Sequence, residues 1–384
     1  MVKSYTAFTS EIDDVELAVS EILEQLEPEK NCLKNTVAVV TCYYEFAVNG
    51  IIAELYRKLK FPIIGTTTSA LATNQGFGHL GLAVMMMTSD DVTFTAASSS
   101  SLLNDLEAPL TRMYQNALEG HAQTPKLILS AGPLLLNHAG DYYVDILGKA
   151  SGGVPNYGTL AIDDTANFEN SYTIFNDTFA KDMFCIIVAS GNIHPKFFFS
   201  SISSEKILVH PALITKSAGN LLQEVNGRPL YDYLDAQGMV SNGKIRQGLN
   251  SLPLLLDRAD GSQVISKVLI YLNEDGYGVC GGLMPEGSTM SIGVWDRDDV
   301  VATTLQTVER ALSDENVSTL FMYSCYGRSL ALGADIFAET DNVSEAVAGK
   351  VSYLFAYSGG EICPISGSAN PNQFHNNTFV GCVF

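Results

Sequence analysis

Hydrophobic positions in this chain follow two rhythms. Between residues 10 and 26, Ile12, Val15, Val19, Ile22, Leu23 and Leu26 recur at helical spacing, with Ser10 placed as an N-cap and Pro28 just past the end. That spacing predicts an amphipathic helix. Short unbroken apolar runs, such as residues 82–87 and 183–189, read instead as strands buried on both faces. These runs fall far short of the roughly 20 apolar residues that a bilayer-spanning helix needs, so no membrane segment is expected.

The two rhythms recur in one order three times. The first copy runs from a strand at 36–42 through a helix at 47–59 and a turn at 65–69 to Asn74-Gln75-Gly76-Phe77 and a strand at 81–87. The second has a strand at 126–131, a helix at 138–149, a glycine turn at 151–155, then Asn176-Asp177-Thr178-Phe179 and a strand at 183–189. The third follows with a strand at 319–324, a helix at 328–337, a turn at 358–361, then Asn376-Asn377-Thr378-Phe379 and a strand at 380–384. Unequal spacing excludes a solenoid, and the order predicts a pseudo-symmetric body whose turns gather where α/β sheets build sites.

Between the second and third copies the texture changes. Residues 221–225 read as a strand, Asn226-Gly227 as a turn, and Pro229 as the start of a short helix. The segments 264–272, 277–283 and 288–295 then read as a meander, and a helix follows, capped near Asp296 or Asp298. The predicted organisation is an N-terminal amphipathic helix (1–33), one domain over 34–225 and a second over 226–384. The predicted class is α/β in the mixed α+β sense, with mixed sheets covered by helices and two lobes.

Composition narrows the function classes. Of 384 residues, 46% are apolar and 17% charged, which predicts a folded chain. The net charge of −20 argues against nucleic acid and against anionic membranes as partners. The N-terminus lacks the apolar core of a secretory signal, and the seven cysteines contain no CxxC pair, so the expected location is cytoplasmic and the thiols are expected to be free.

Most catalytic signatures are missing. Residues 76–81 match GxGxxG in letters but lead into a strand rather than a helix. There is no GxxxxGK loop, HExxH helix or GxSxG elbow, and no two histidines have ligand spacing. No metal and no cofactor are therefore expected.

Two stretches carry chemistry. Ser324-Cys325-Tyr326-Gly327-Arg328 joins a buried strand to a helix. A thiol at a helix N-terminus beside Arg328 would be acidified, so Cys325 is expected to be the most readily alkylated cysteine. The alternative is a structural thiol. Ser358-Gly359-Gly360-Glu361 holds a carboxylate on a tight turn, upstream of Phe374-His375-Asn376-Asn377-Thr378. Either Arg328 and Glu361 face a ligand carboxylate and ammonium, or they pair with each other.

These residues also carry a resemblance. The segments 325–328, 285–288, 360–364 and 374–378 resemble the C-terminal FIST domain, and 64–69, 151–153 and 220–229 resemble the N-terminal one. The resemblance covers nearly all of the chain from about residue 34. It implies an intracellular sensory protein that binds a small molecule such as an amino acid and, lacking a recognisable output segment, signals through a separate partner. The pocket residues it suggests are Thr66, Thr67, Ser69, Gly152, Gly153, Cys325, Arg328, Glu361, His375 and Asn376. No enzymatic activity is expected. The alternatives are a cysteine-dependent enzyme using Cys325 and His375, and a ligand-free interaction scaffold.

Overall fold

The computed structural model describes residues 1–119, 121–165, 167–241, 244–245, 253–313, 317–365 and 371–384. The first repeat comprises β1 (Lys3–Thr9), α1 (Val15–Leu26), α2 (Pro28–Asn31), β2 (Asn35–Cys42), α3 (Tyr44–Val48), α4 (Ile51–Leu59), β3 (Ile63–Thr67), β4 (Leu71–Thr73), β5 (Gly76–Gly78) and β6 (Leu82–Ser89). The second comprises β7 (Val92–Ser98), α5 (Glu107–Leu118), β8 (Pro125–Gly132), α6 (Asp141–Ser151), β9 (Asn156–Leu160), β10 (Thr173–Phe175), β11 (Thr178–Ala180) and β12 (Cys185–Gly191). The third begins with β13 (Lys196–Ser200) and is then interrupted by β14 (Ile207–Ala218), β15 (Leu221–Val225), β16 (Arg228–Pro229), α7 (Leu230–Ala236), β17 (Val240–Ser241), β18 (Lys244–Ile245), β19 (Pro253–Asp257), β20 (Ile265–Leu272), β21 (Gly278–Cys280) and β22 (Thr289–Gly293). It resumes with α8 (Arg297–Ala311), β23 (Thr319–Cys325), α9 (Tyr326–Ala331), α10 (Ala338–Val347), β24 (Ser352–Ser358), β25 (Glu361–Pro364), β26 (Asn372–His375) and β27 (Phe379–Val383).

The three repeats build three sheets on one plan. Their orders are β1-β6-β2-β3-β10-β11, β7-β12-β8-β9-β25-β26 and β13-β27-β23-β24-β4-β5. In each, one pair is parallel (β2–β3, β8–β9, β23–β24) and its flanking strands are antiparallel. The last two strands of each sheet are a hairpin lent by another repeat: β4–β5 leaves the first repeat for the third sheet, β10–β11 leaves the second for the first, and β25–β26 leaves the third for the second. The sheets are thus mixed and the exchange is cyclic.

An asparagine fastens each lent hairpin to the parallel strand that receives it. Asn74 Oδ1 accepts the Tyr353 N–H at 2.9 Å and its amide donates to the Val351 carbonyl at 2.8 Å. Asn372 does the same to the Asn156 N–H (2.8 Å) and the Val154 carbonyl (2.9 Å). Asn176 Oδ1 accepts the Ile63 N–H at 3.1 Å. The third counterpart is therefore Asn372; Asn376, which the sequence pattern aligned with Asn74 and Asn176, lies beyond the hairpin, between β26 and β27.

Inner faces of the three sheets share one apolar core, to which Val39 and Met85, Leu129 and Tyr157, and Phe321 and Val380 contribute. Helices cover the outer faces: α1 and α4 over the first sheet, α5 and α6 over the second, α8 and α10 over the third. With both faces buried, the central strands read as unbroken apolar runs, as expected for covered sheets. Tyr157 ties two sheets by donating to the carbonyls of Phe321 (3.0 Å) and Val380 (3.1 Å).

Two expectations need correction. The N-terminal segment is no appended helix: β1 forms the edge of the first sheet by pairing with β6, and α1 starts at the Asp14 cap rather than at Ser10. The short carboxylate of Asp14 accepts the N–H groups of Glu16 and Leu17, both at 3.0 Å, and so fixes the helix start. Nor is the inserted region a simple meander. Strands β14-β22-β19-β20-β21-β15 close into a barrel because β14 pairs with both β22 and β15. Register shifts along the 12-residue β14 bend it around that corner. The expected division near residue 225 falls at the β15–β16 turn, so barrel strands lie on both sides of it.

A buried ion pair seats the barrel on the body. Lys267 of β20 donates to Asp141 at the start of α6 (2.8 and 3.0 Å) and to the Phe374 carbonyl of β26 (2.7 Å). The Leu283 N–H reaches the same carboxylate at 2.8 Å. Lys267 is fully buried, so its three protons are all placed on acceptors, as burial of an ammonium demands.

Candidate functional site

A cleft of about 590 Å³ opens between barrel and body. Its floor is the carboxyl end of the parallel pair β23–β24, where Cys325 and Ser358 sit side by side in register. Crevices outside the carboxyl ends of parallel strands are where open α/β sheets place ligands. Val268, Ile270 and Tyr271 of β20 form the opposite wall, and Leu134, Ile162 and Leu330 complete the apolar lining.

The rim comes from the connection between β9 and β10. Asp163, fully buried, holds that loop: its carboxylate accepts the Thr165 N–H (2.7 Å), the Thr165 hydroxyl (2.6 Å) and the Asn170 N–H. The brace presents Asp164, Thr165, Asn167 and Phe168 to the cleft. Phe168 has a φ of 55°, and its ring meets Tyr326 edge-on at 6.1 Å. Gly359 lets the floor pass close under this loop, since a Cβ there would lie 2.7 Å from the Ala161 carbonyl oxygen.

Of the residues expected in a pocket, the structure brings Cys325 and Asn376 to the cleft. Asn376 is 1% exposed and its Oδ1 has no hydrogen-bond partner, while its N–H donates to the Ser266 carbonyl of the barrel at 3.0 Å. Cys325 is buried, and desolvation first, then the nearby Glu361, pushes its thiol well above the usual range, against the opposing N–H groups of Asn377 and Gly327 and the charge of Arg328. The expected acidified thiol is therefore not found: α9 has only six residues, too short a dipole to offset burial.

Arg328 does not face the cleft. It is fully buried, pairs with Glu339 at 2.9 Å, and donates to Ser324, Thr303, Thr304 and the Val300 carbonyl. Trp295 lies under its guanidinium at 4.8 Å. Neither version of the Arg328–Glu361 idea survives, because the arginine's partner is Glu339, on α10. That acid sits on α10, a helix that the sequence pattern did not predict: the helix expected at 328–337 ends as α9 at Ala331, and α10 follows it.

Glu361 lies behind the floor, fully buried. Its Oε2 accepts the Thr378 hydroxyl at 2.8 Å and its Oε1 has no partner. Burial raises its pKa to about 8 against the lowering pull of Thr378, Ser358 and Arg328. Across the β25–β26 ladder His375 is its direct neighbour. That imidazole bonds the Cys363 carbonyl at 3.1 Å, lies tilted at 33° to the Phe199 ring and is held at about 4 by burial. Among the described residues no hydrogen bond joins His375 to Cys325, so the arrangement of an activated thiol is absent there.

The remaining candidates are elsewhere. Thr67 bonds Tyr172 through both backbone and side chain, Thr66 borders a water-sized void of about 10 Å³ in the central core, and the Ser69 carbonyl takes His79 Nδ1 at 2.8 Å. Gly152 and Gly153 are exposed, at the end of α6 that leads into the start of β9. They match no site turn: the counterpart of the β3 and β24 ends is the end of β9, near Leu160. Glycine there caps a helix in the left-handed conformation, with Gly152 at φ 66°. Sequence reasoning missed Ser358 as a floor residue, the aromatic rim and the barrel wall. The long connection between the glycine turn at 151–155 and Asn176 was the signal available for the rim.

Comparisons with known proteins bear on the whole chain. The FIST N domain matches residues 36–228 and the FIST C domain matches residues 230–364. No curated protein matches the chain. Among solved structures, it is similar to cyanuric acid hydrolase from A. caulinodans at 8% identity and a TM-score of 0.38, covering 100% of this chain and 99% of that one. It is also similar to T. maritima PurL complexed with ATP at 10% identity and a TM-score of 0.20, covering 100% of this chain and 71% of that one.

Proposed function

Because the chain belongs to the FIST family, whose domains are generally sensory modules of signal transduction, we propose that it is a non-enzymatic sensor whose ligand occupies the cleft between barrel and body. The observation that carries this reading is the cleft itself, about 590 Å³ at the carboxyl ends of β23 and β24 and walled by both barrel and body.

The ligand is small, with an apolar body for Leu134, Ile162, Val268 and Leu330; an amino acid with a large apolar side chain is one such molecule. The wall formed by β20 belongs to the barrel and the floor to the body, so occupancy would be felt by the Lys267–Asp141 seat one residue away from Val268. A separate partner protein would read that state.

A thermal-shift screen with metabolite mixtures tests the reading, since a ligand of the native state raises its apparent stability by mass action. Leu330→Trp, a substitution at a half-exposed lining residue, should abolish any shift while leaving the unliganded melting temperature within a few degrees. Shifts that survive Leu330→Trp would refute the cleft as the sensor site.

A further inference from the structure

The cleft offers a carboxylate and aromatic rings, and none of its described lining residues is a lysine, arginine or histidine. Resting on the cleft as the sensor site, we propose that its ligand is an organic ammonium cation, recognised by Asp164 and the rings of Phe168 and Tyr326.

Several backbone and hydroxyl donors at the floor are already consumed. The Cys325 N–H goes to the Thr378 carbonyl at 3.0 Å and the Gly359 N–H to the Leu160 carbonyl at 3.0 Å. Ser358 donates to the Gly360 carbonyl (2.7 Å) and accepts from the Gly360 N–H and the Thr159 hydroxyl. The guanidinium of Arg328, three residues after Cys325, is spent on Glu339. A carboxylate or phosphate entering this space meets no cationic side chain among the described lining residues, which disfavours it against a cation.

What remains open suits a cation. Asp164 is the one charged side chain among the described lining residues, is exposed at the rim, and makes no ion pair among the described residues. Phe168 and Tyr326, set edge to face, put two ring systems beside it. Ring faces attract ammonium groups, and a carboxylate at the rim supplies the counter-charge. The net charge of −20 adds a long-range field that favours cation entry.

A charge series on one carbon frame tests this with the full chain: 2-phenylethylamine, 2-phenylethanol, phenylalanine and 3-phenylpropanoate, each titrated by calorimetry at low and physiological salt. The expected order has the amine tightest, the alcohol and the zwitterion weaker, and the carboxylate without measurable binding. Asp164→Asn, at an exposed position, should weaken the amine about three- to fivefold and leave the alcohol unchanged, the range expected of a screened ion pair. Tyr326→Leu should weaken the amine by a similar factor. If the alcohol, phenylalanine or the carboxylate binds as tightly as the amine, and does so in a Leu330→Trp-sensitive way, the charge inference is overturned while the cleft remains the site. It is overturned equally if Asp164→Asn leaves the amine's preference intact. If no probe binds in a Leu330→Trp-sensitive way, both readings fall together.

Discussion

Glu339 and Glu361 belong to the same repeat and both are fully buried, yet their surroundings oppose each other. Glu339 receives Arg328, the Thr304 hydroxyl and the Ser324 hydroxyl at 2.8 Å, so its charge is matched. Glu361 has Thr378 on one oxygen and nothing on the other, and burial lifts it to about 8. Burial alone does not decide whether a carboxyl is ionised; the donors around it do. One site is a charged rivet between α8, α9 and α10, and the other holds a neutral acid at neutral pH.

The largest effect should come from breaking the matched site. Arg328→Met leaves Glu339 as an uncompensated buried charge and should cost about 3–5 kcal/mol, whereas Arg328→Met with Glu339→Leu should recover most of it. Urea denaturation of the two variants decides the point; a single variant no less stable than the double would show that the pair carries no mutual dependence.

The unmatched site should appear in pH dependence. Glu361 has a raised folded pKa, so between its ordinary 4.5 and about 8 the native state holds a proton that the unfolded state has lost, and stability falls with rising pH. His375 has a depressed one, so between about 4 and its ordinary 6.5 the unfolded state holds the extra proton, and stability rises with pH. The two contributions oppose each other from about 4.5 to 6.5, and Glu361 acts alone from 6.5 to 8. We therefore expect Glu361→Gln to remove a decline of up to about 1.4 kcal/mol per pH unit above pH 6.5 and to unmask the His375 rise below it. Identical slopes in wild type and Glu361→Gln would contradict a neutral Glu361.

The smallest effect concerns the thiol beside Glu361. In the native protein Cys325 should resist alkylation at pH 7, and Cys32, which is partly exposed while the other six thiols are buried, should react first. Peptide mapping by mass spectrometry after brief iodoacetamide treatment reads this directly.

Much of the architecture was legible in the chain because it depends on local period. Alternation of buried runs and amphipathic helices placed the central strands of all three repeats and the α8 cap, where Asp296 and Asp299 form a reciprocal box. Family resemblance was legible for the same reason, since its motifs are contiguous. The hairpin exchange was not, because β25 pairs with β9 and β4 with β24 across some 200 to 280 residues, and no local pattern encodes a distant partner. The site suffered in proportion. Cys325 and Asn376 each stand in a short distinctive stretch and so were legible, whereas the mate of Arg328 lies in an ordinary helix and was not. Asp164, Phe168 and the β20 wall meet only in three dimensions.

The asparagine latches carry a consequence for biosynthesis. Asn372 completes the second sheet by capping Asn156, 216 residues upstream, so that sheet must leave the ribosome unfinished and wait with an open edge beside β9. Exposed edges recruit stray strands, so the nascent chain is most prone to mispair between the emergence of β9 and that of β26. Limited proteolysis of stalled nascent chains should find residues 156–160 protected only once residue 375 has cleared the tunnel.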